Sequence, residues 1–148
     1  MAVVRDDPYP GQNFLVDLGD GSTDGPHAGF QEVTGLENAL DVTEYRTGND
    51  RDSTPGKILG LNKVAYVTLR RGICGSLNLY KWFDTVRVGK PSVRNVTITL
   101  LNEVREPVLV WKLIRARPVK LSYDGLNARG SEIAMEELVL AYERLEME

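Results

Sequence analysis

Val93-Arg94-Asn95-Val96-Thr97-Ile98-Thr99-Leu100-Leu101 is the stretch whose reading decides the fold. Val96, Ile98 and Leu100 point one way and Asn95, Thr97 and Thr99 the other. That is the period of two of a strand with one apolar face, and its β-branched residues favour extended backbone. The pattern recurs on both sides. Val108 to Ile114, with Trp111 at its middle, is apolar on both faces and reads as a central, buried strand. Pro118 limits ladder pairing and predicts an edge or a bulge, after which Val119, Leu121 and Tyr123 resume strand period up to a turn at Asp124-Gly125. Upstream, Val64 to Arg71 reads as one strong strand. Phe30 to Thr34 and Leu40 to Arg46 read as two more, joined near Gly35. Phe14, Val16 and Leu18 alternate with Asn13, Asp17 and Gly19, and Gly19 to Gly29, with Pro26, is a turn region.

One helix interrupts the strands, over about residues 76–88. Ser76 is its expected N-cap. Leu79, Trp82, Phe83 and Val86 follow at i, i+3, i+4 and i+7, an apolar stripe that packs on a sheet. Gly89 and Pro91 end it. The last segment is ambiguous: Met135, Leu138, Val139 and Tyr142 match helix spacing, while Leu138, Leu140 and Tyr142 match a strand. Propensity alone favours helix there. Residues 1–12 read as an extended arm, and Thr47 to Gly60 as a polar loop of about fourteen residues, long enough to have a task of its own.

The 148 residues fit one domain spanning 1–148, without a linker or internal repeat. No uncharged stretch approaches the roughly 20 residues that cross a bilayer, and the first residues lack the apolar core of a signal peptide. Membrane insertion by the monomer is therefore not expected, and the default location is cytosolic. Charge is segregated along the chain. Residues 1–56 carry a net −8, residues 57–129 a net +10 and residues 130–148 a net −5. Folding can interleave these blocks. Alternatively, acidic and basic faces meet in a neighbouring copy, or Arg70, Arg71, Lys81, Arg87, Lys90 and Arg94 line a nucleic-acid groove.

The sequence carries no recognisable catalytic motif. His27 is the only histidine and sits in the turn region, with no nucleophile motif to serve. Gly19 to Gly25 has glycines spaced like a phosphate loop but no helix behind it, so a hairpin turn explains it better. Asp17, Asp20 and Asp24, and likewise Asp50 and Asp52, lack calcium-loop spacing. Cys74, the single cysteine, reads as a small structural residue, and Asn95-Val96-Thr97 is a glycosylation sequon without secretory context. No catalytic, metal or cofactor site is expected, and non-enzymatic assembly is the better reading.

Several segments, in order, resemble the tail-tube family of contractile phages and contractile injection systems, whose fold is Hcp-like. They are Asp7-Pro8-Tyr9-Pro10-Gly11-Gln12-Asn13-Phe14, Phe30-Gln31-Glu32-Val33-Thr34-Gly35-Leu36 and Tyr45-Arg46-Thr47-Gly48-Asn49. Further on come Pro55-Gly56-Lys57, Val67-Thr68-Leu69-Arg70-Arg71-Gly72, Leu79-Tyr80-Lys81-Trp82, Trp111-Lys112-Leu113 with Ala116-Arg117-Pro118, and Ala134-Met135-Glu136. The resemblance covers nearly the whole chain. It implies a mainly β fold of two packed antiparallel sheets forming a small barrel or sandwich with one flanking helix, and it makes the last segment a strand. It implies hexameric rings stacked into a hollow tube, driven through a target envelope by sheath contraction. The implied partners are other copies of the chain, a sheath protein, baseplate or tip and tube-terminating proteins, and lumen cargo. Assembly would be cytoplasmic, and the product part of a phage tail or tail-like particle. The loop at 47–60 and the arm then become inter-subunit elements, with Arg46, Asn49, Asp50, Arg51, Asp52, Lys57, Tyr9 and Asn13 as interface candidates. The alternative is a small β-barrel binding module that holds nucleic acid through its basic middle.

Overall fold

The computed structural model describes residues 2–25 and 27–148. Met1 and Pro26, at the start of the expected arm and within the expected turn region, lie outside the described residues. The elements are β1 (Phe14–Asp17), β2 (Glu32–Thr34), β3 (Asn38–Tyr45), β4 (Gly56–Val64), β5 (Val67–Gly72), α1 (Asn78–Arg87), β6 (Arg94–Leu101), β7 (Pro107–Tyr123), β8 (Met135–Ala141) and β9 (Arg144–Met147).

β7 organises the molecule. Its first half pairs with β6 and β9, its second half with β8, and β8 pairs onward with β5 and β5 with β2. Arg115, at φ 55°, stands at the changeover. The register then slips between Pro118 and Lys120, which is the bulge that Pro118 predicts. Two antiparallel layers result, β1-β6-β7-β9 and β2-β5-β8-β7, sharing one bent strand. Val16, Val96, Ile98 and Leu113 of the first layer, Val67, Leu69, Leu138 and Leu140 of the second, and Leu79 and Trp82 of α1 form one core.

The expected two packed antiparallel sheets with one flanking helix are present, as a sandwich rather than a barrel. β1 and β2, the far edges of the path, do not pair, and no closed barrel forms among the described residues. Phe14, Val33, Leu36, Leu100 and Trp111 line the open gap instead. That gap explains a second departure. β7 is central as expected, yet Leu109 and Trp111 are only half-buried, because they stand opposite Leu100 and Ile98 on the face that looks into the gap.

The last segment is strand β8, followed by a short β9 that the sequence does not announce. Helix propensity loses here to register: Leu138 and Leu140 face Leu69 and Val67 across the ladder and are fully buried. Val64 to Arg71 is not one strand. β4 ends at Val64 and β5 begins at Val67, and Tyr66 between them lies against Gly35. The helix is shorter than expected, at Asn78–Arg87. Ser76 does not cap it, because its hydroxyl is hydrogen-bonded to Asn78 Oδ1 and His27 Nδ1, and Leu77 holds the N-cap position without a side-chain bond. Leu79 and Trp82 are buried, and Phe83 and Val86 are half-buried, so the stripe packs as expected. At the far end Gly89 (φ 92°) lets its own N–H reach the Val86 carbonyl and that of Lys90 the Thr85 carbonyl, closing the last turn. Cys74 is exposed rather than packed. No helix of the described residues is long and apolar enough to cross a membrane.

Candidate assembly surface

β3 and β4 pair with each other and, among the described residues, with no other strand. The polar loop expected at 47–60 is thus the tip of a ribbon, since Gly56 to Gly60 already belong to β4. The register slips one residue between Leu40 and Val42, where Gly60 sits over Asp41, and Lys63 Nζ pairs with Asp41 at 2.8 Å. Val42 faces Leu59 and Thr43 faces Ile58. Leu40, Val42 and Leu59 therefore share one face, and Tyr45 and Ile58 the other. Each of these side chains is at least half exposed, and Leu61 is 81% exposed. A ribbon that is apolar on both faces has the composition of a strand pair covered on both sides. The strand expected over Leu40 to Arg46 is β3, whereas a polar loop over 47–60 leaves out Ile58 and Leu59 of β4, although that run, with Leu61 after it, carries the signal.

The root of the ribbon is fixed to the body. Gly35 (φ 93°) lies so close to the chain leaving the ribbon that an added Cβ would meet the Tyr66 carbonyl oxygen at 2.0 Å. Tyr142 Oη reaches the Gly35 and Glu37 carbonyls from the core side, at 3.5 and 3.3 Å. Burial pushes the Tyr142 hydroxyl pKa up.

At the tip, the predicted candidates come together, but several are spent on shape. The Arg46 guanidinium donates to the carbonyls of Asp50 and Asp52 at 3.0 and 2.9 Å. Asp50 Oδ2 accepts from the Thr47 N–H and Asp52 Oδ1 from the Thr54 N–H, both at 3.1 Å. Asn49 and Arg51 are exposed beside them, and Lys57 stands opposite Glu44 on the ribbon.

Tyr9 and Asn13 are not part of the tip. They belong to the N-terminal segment, which folds back on its own subunit. The Asn13 carbonyl accepts from the Leu101 N–H at 2.9 Å, and Tyr9 Oη donates to the Val3 carbonyl at 3.0 Å.

The charge blocks largely interleave within the chain. Arg70 faces Glu32, Asp124 and Glu137, Arg71 pairs with Glu136, Lys112 with Glu148 and Arg115 with Glu143. Arg71 is fully buried, and Arg87 is paired with Asp84 one turn back. Arg70, Arg71 and Arg87 are therefore committed to acids rather than lining a groove. Among the described residues no cluster could hold a metal ion.

The family model of the T4-like virus tail tube protein gp19 matches residues 10–146. Among solved structures, a chain of the 6-fold symmetrised baseplate of the anti-feeding prophage is 28% identical, with a TM-score of 0.84 and coverage of 97% of each chain. A chain of the PVC extracellular contractile injection system, in its extended sheath-tube complex, is 29% identical with a TM-score of 0.82, covering 95% of this chain and 91% of that one. Hcp1 from Flavobacterium johnsoniae, 11% identical with a TM-score of 0.54 over 90% of this chain and 93% of its own, shares the fold. No curated protein matches the sequence. The chain is a structural, non-enzymatic subunit of a phage tail or phage tail-like particle. It belongs to the T4-like virus tail tube protein gp19 family.

Proposed function

We propose that the chain forms hexameric rings that stack into a hollow inner tube, and that the β3–β4 ribbon is the element by which one copy grips the next. The observation that carries this reading is the two-faced apolar ribbon. Among the described residues its strands pair with no others, and Leu59 and Leu61 are 67% and 81% exposed. A lone two-stranded ribbon is marginal in water, and a large exposed apolar patch marks a contact surface. Covering each half-exposed aliphatic side chain contributes roughly 1 kcal/mol, from which the cost of association is subtracted. Head-to-tail contacts of this kind, ribbon into a different receiving surface, close into rings when the rotation between neighbours closes, and a 6-fold relation, as in the baseplate of the relative, is such a rotation.

The relatives support the wider setting, since they come from a 6-fold symmetrised baseplate, a sheath-tube complex, a tube-terminating cap and a sheath/tube terminator. A sheath protein, baseplate proteins and a tube terminator are accordingly the partners assigned to this chain. The tube is passive, and the sheath supplies the work that drives it through an envelope, with any cargo inside.

The test is V42E/L59E, one charge on each strand of one face of the ribbon. Sedimentation and electron microscopy should find the variant folded, with unchanged near-ultraviolet circular dichroism, and unable to form rings or tubes. Assembly at the wild-type concentration would remove the ribbon from the interface.

A further inference from the structure

The N-terminal segment is the other element assigned to reaching neighbours by its sequence, and its geometry is of a different kind. Arg5 is the hub. Nη1 and Nη2 donate in parallel to the two carboxylate oxygens of Glu103, both at 2.9 Å. Nε donates to the Asp7 carbonyl at 2.7 Å and Nη2 also to the Pro8 carbonyl at 2.9 Å. The guanidinium lies over the Tyr9 ring, 4.0 Å from its centre. The Val3 N–H donates to the Val108 carbonyl at 2.9 Å, so the strap spans the β6–β7 turn from one side to the other. That turn is itself braced: Asn102 Oδ1 accepts from the N–H groups of Val104 and Glu106 at 3.1 and 2.8 Å, and Arg105 has φ 66°.

Four of the five N–H donors of the Arg5 fork are thereby used, and the bidentate arginine–carboxylate pair is the geometry that fixes orientation as well as distance. A flexible arm would have to be ordered at the moment of assembly, at the expense of affinity. We infer that residues 2–12 form a strap latched in cis by Arg5 to Glu103, so that the subunit enters assembly with this part of its surface already set. The inference rests on the tube reading above for its consequence, though not for the latch itself. Val4, next to Arg5 in the strap, is 93% exposed and Val104, next to Glu103 in the turn, is 72% exposed, so a preset strap holds exposed apolar side chains in place rather than on a loose tail.

The experiment uses the full chain and three variants: E103Q, R5M and the exchange R5E/E103R. Amide exchange at Val3 reads the latch in the unassembled subunit, and the concentration at which assemblies appear by sedimentation reads its consequence. Val3 protection should fall at least tenfold in E103Q and R5M, decline with added salt in the wild type, and return in part in R5E/E103R. The assembly concentration should rise several-fold in the two unlatched variants. Unprotected Val3 in the wild type would overturn the latch. Loss of protection with an unchanged assembly concentration would overturn the preset role. A wild-type chain with a protected strap that never assembles would support the latch and count against the tube reading instead.

Discussion

Arg71 of β5 and Glu136 of β8 stand opposite each other in the ladder and turn their charges into the core, with side chains 0% and 7% exposed. Arg71 also donates to the carbonyls of His27 and Ser76 and to Asn78 Oδ1. One guanidinium thus ties the turn region before β2, the entry to the helix, and two strands. Removing either partner leaves a buried charge unpaired. R71M and E136A should each lose about 3–5 kcal/mol in urea denaturation. R71M/E136L, which removes both charges, should lose clearly less than the two singles combined. Additive losses would mean that the pair does not act as a unit.

Gly35 sets the direction of the ribbon. With φ 93° and the Tyr66 carbonyl where a Cβ would stand, G35A must move backbone rather than a side chain. The left-handed conformation alone costs about 1–2 kcal/mol for an L-residue, and the contact adds to it. Thermal unfolding should show a loss above about 2 kcal/mol, with a further loss of assembly because the ribbon is re-aimed. An unchanged melting temperature would contradict the root geometry.

Trp82 joins helix to sheet. Its ring is 2% exposed, its Nε1 donates to the Ser92 carbonyl at 3.1 Å, and the Arg94 guanidinium lies 4.6 Å from its centre. W82A should cost about 3–5 kcal/mol, read by denaturant midpoint. A cost below about 1 kcal/mol would mean that the helix is an appendage rather than part of the core.

These residues also mark how much was legible in advance. The Val96-Ile98 alternation and the Leu79-Trp82 stripe were readable because each is a periodic pattern satisfied within one subunit. The bulge after Pro118 was readable because proline lacks an N–H. Of the ribbon, β3 is legible as the strand expected over Leu40 to Arg46, whereas β4 is not, because Ile58, Leu59 and Leu61 sit among glycines and charges and have no core of their own. β9 carries too short a pattern, Arg144-Leu145-Glu146-Met147, to separate from a tail. Arg71 and Glu136 look like ordinary surface charges until the register brings them face to face. Tyr9 and Asn13 are interface candidates only through the resemblance, and the hydrogen bonds that tie them to their own subunit, from the Tyr9 hydroxyl and to the Asn13 carbonyl, carry no periodic signal in the sequence.

Glu103 gives the strap a pH signature. The hydrogen bonds from Arg5, helped by a backbone N–H, hold its carboxyl at about 2, below the usual 4.5. A lowered native pKa means that the latch contributes fully above about pH 4.5 and is lost as the pH falls through about 2. A carboxyl-carbon NMR titration should place the Glu103 midpoint near 2 in the wild type and shifted up toward the ordinary value in R5M, where only the backbone N–H still lowers it. A wild-type midpoint at 4.5 would contradict the pairing.

The central claim is that the ribbon is completed by other copies of the chain. A cryo-electron microscopy reconstruction of the assembled protein tests it most directly. Stacked hexameric rings are expected, in which Val42 and Leu59 on one face, and Tyr45 and Ile58 on the other, are buried against neighbouring copies. Rings or tubes in which the ribbon projects into solvent on both faces would contradict it.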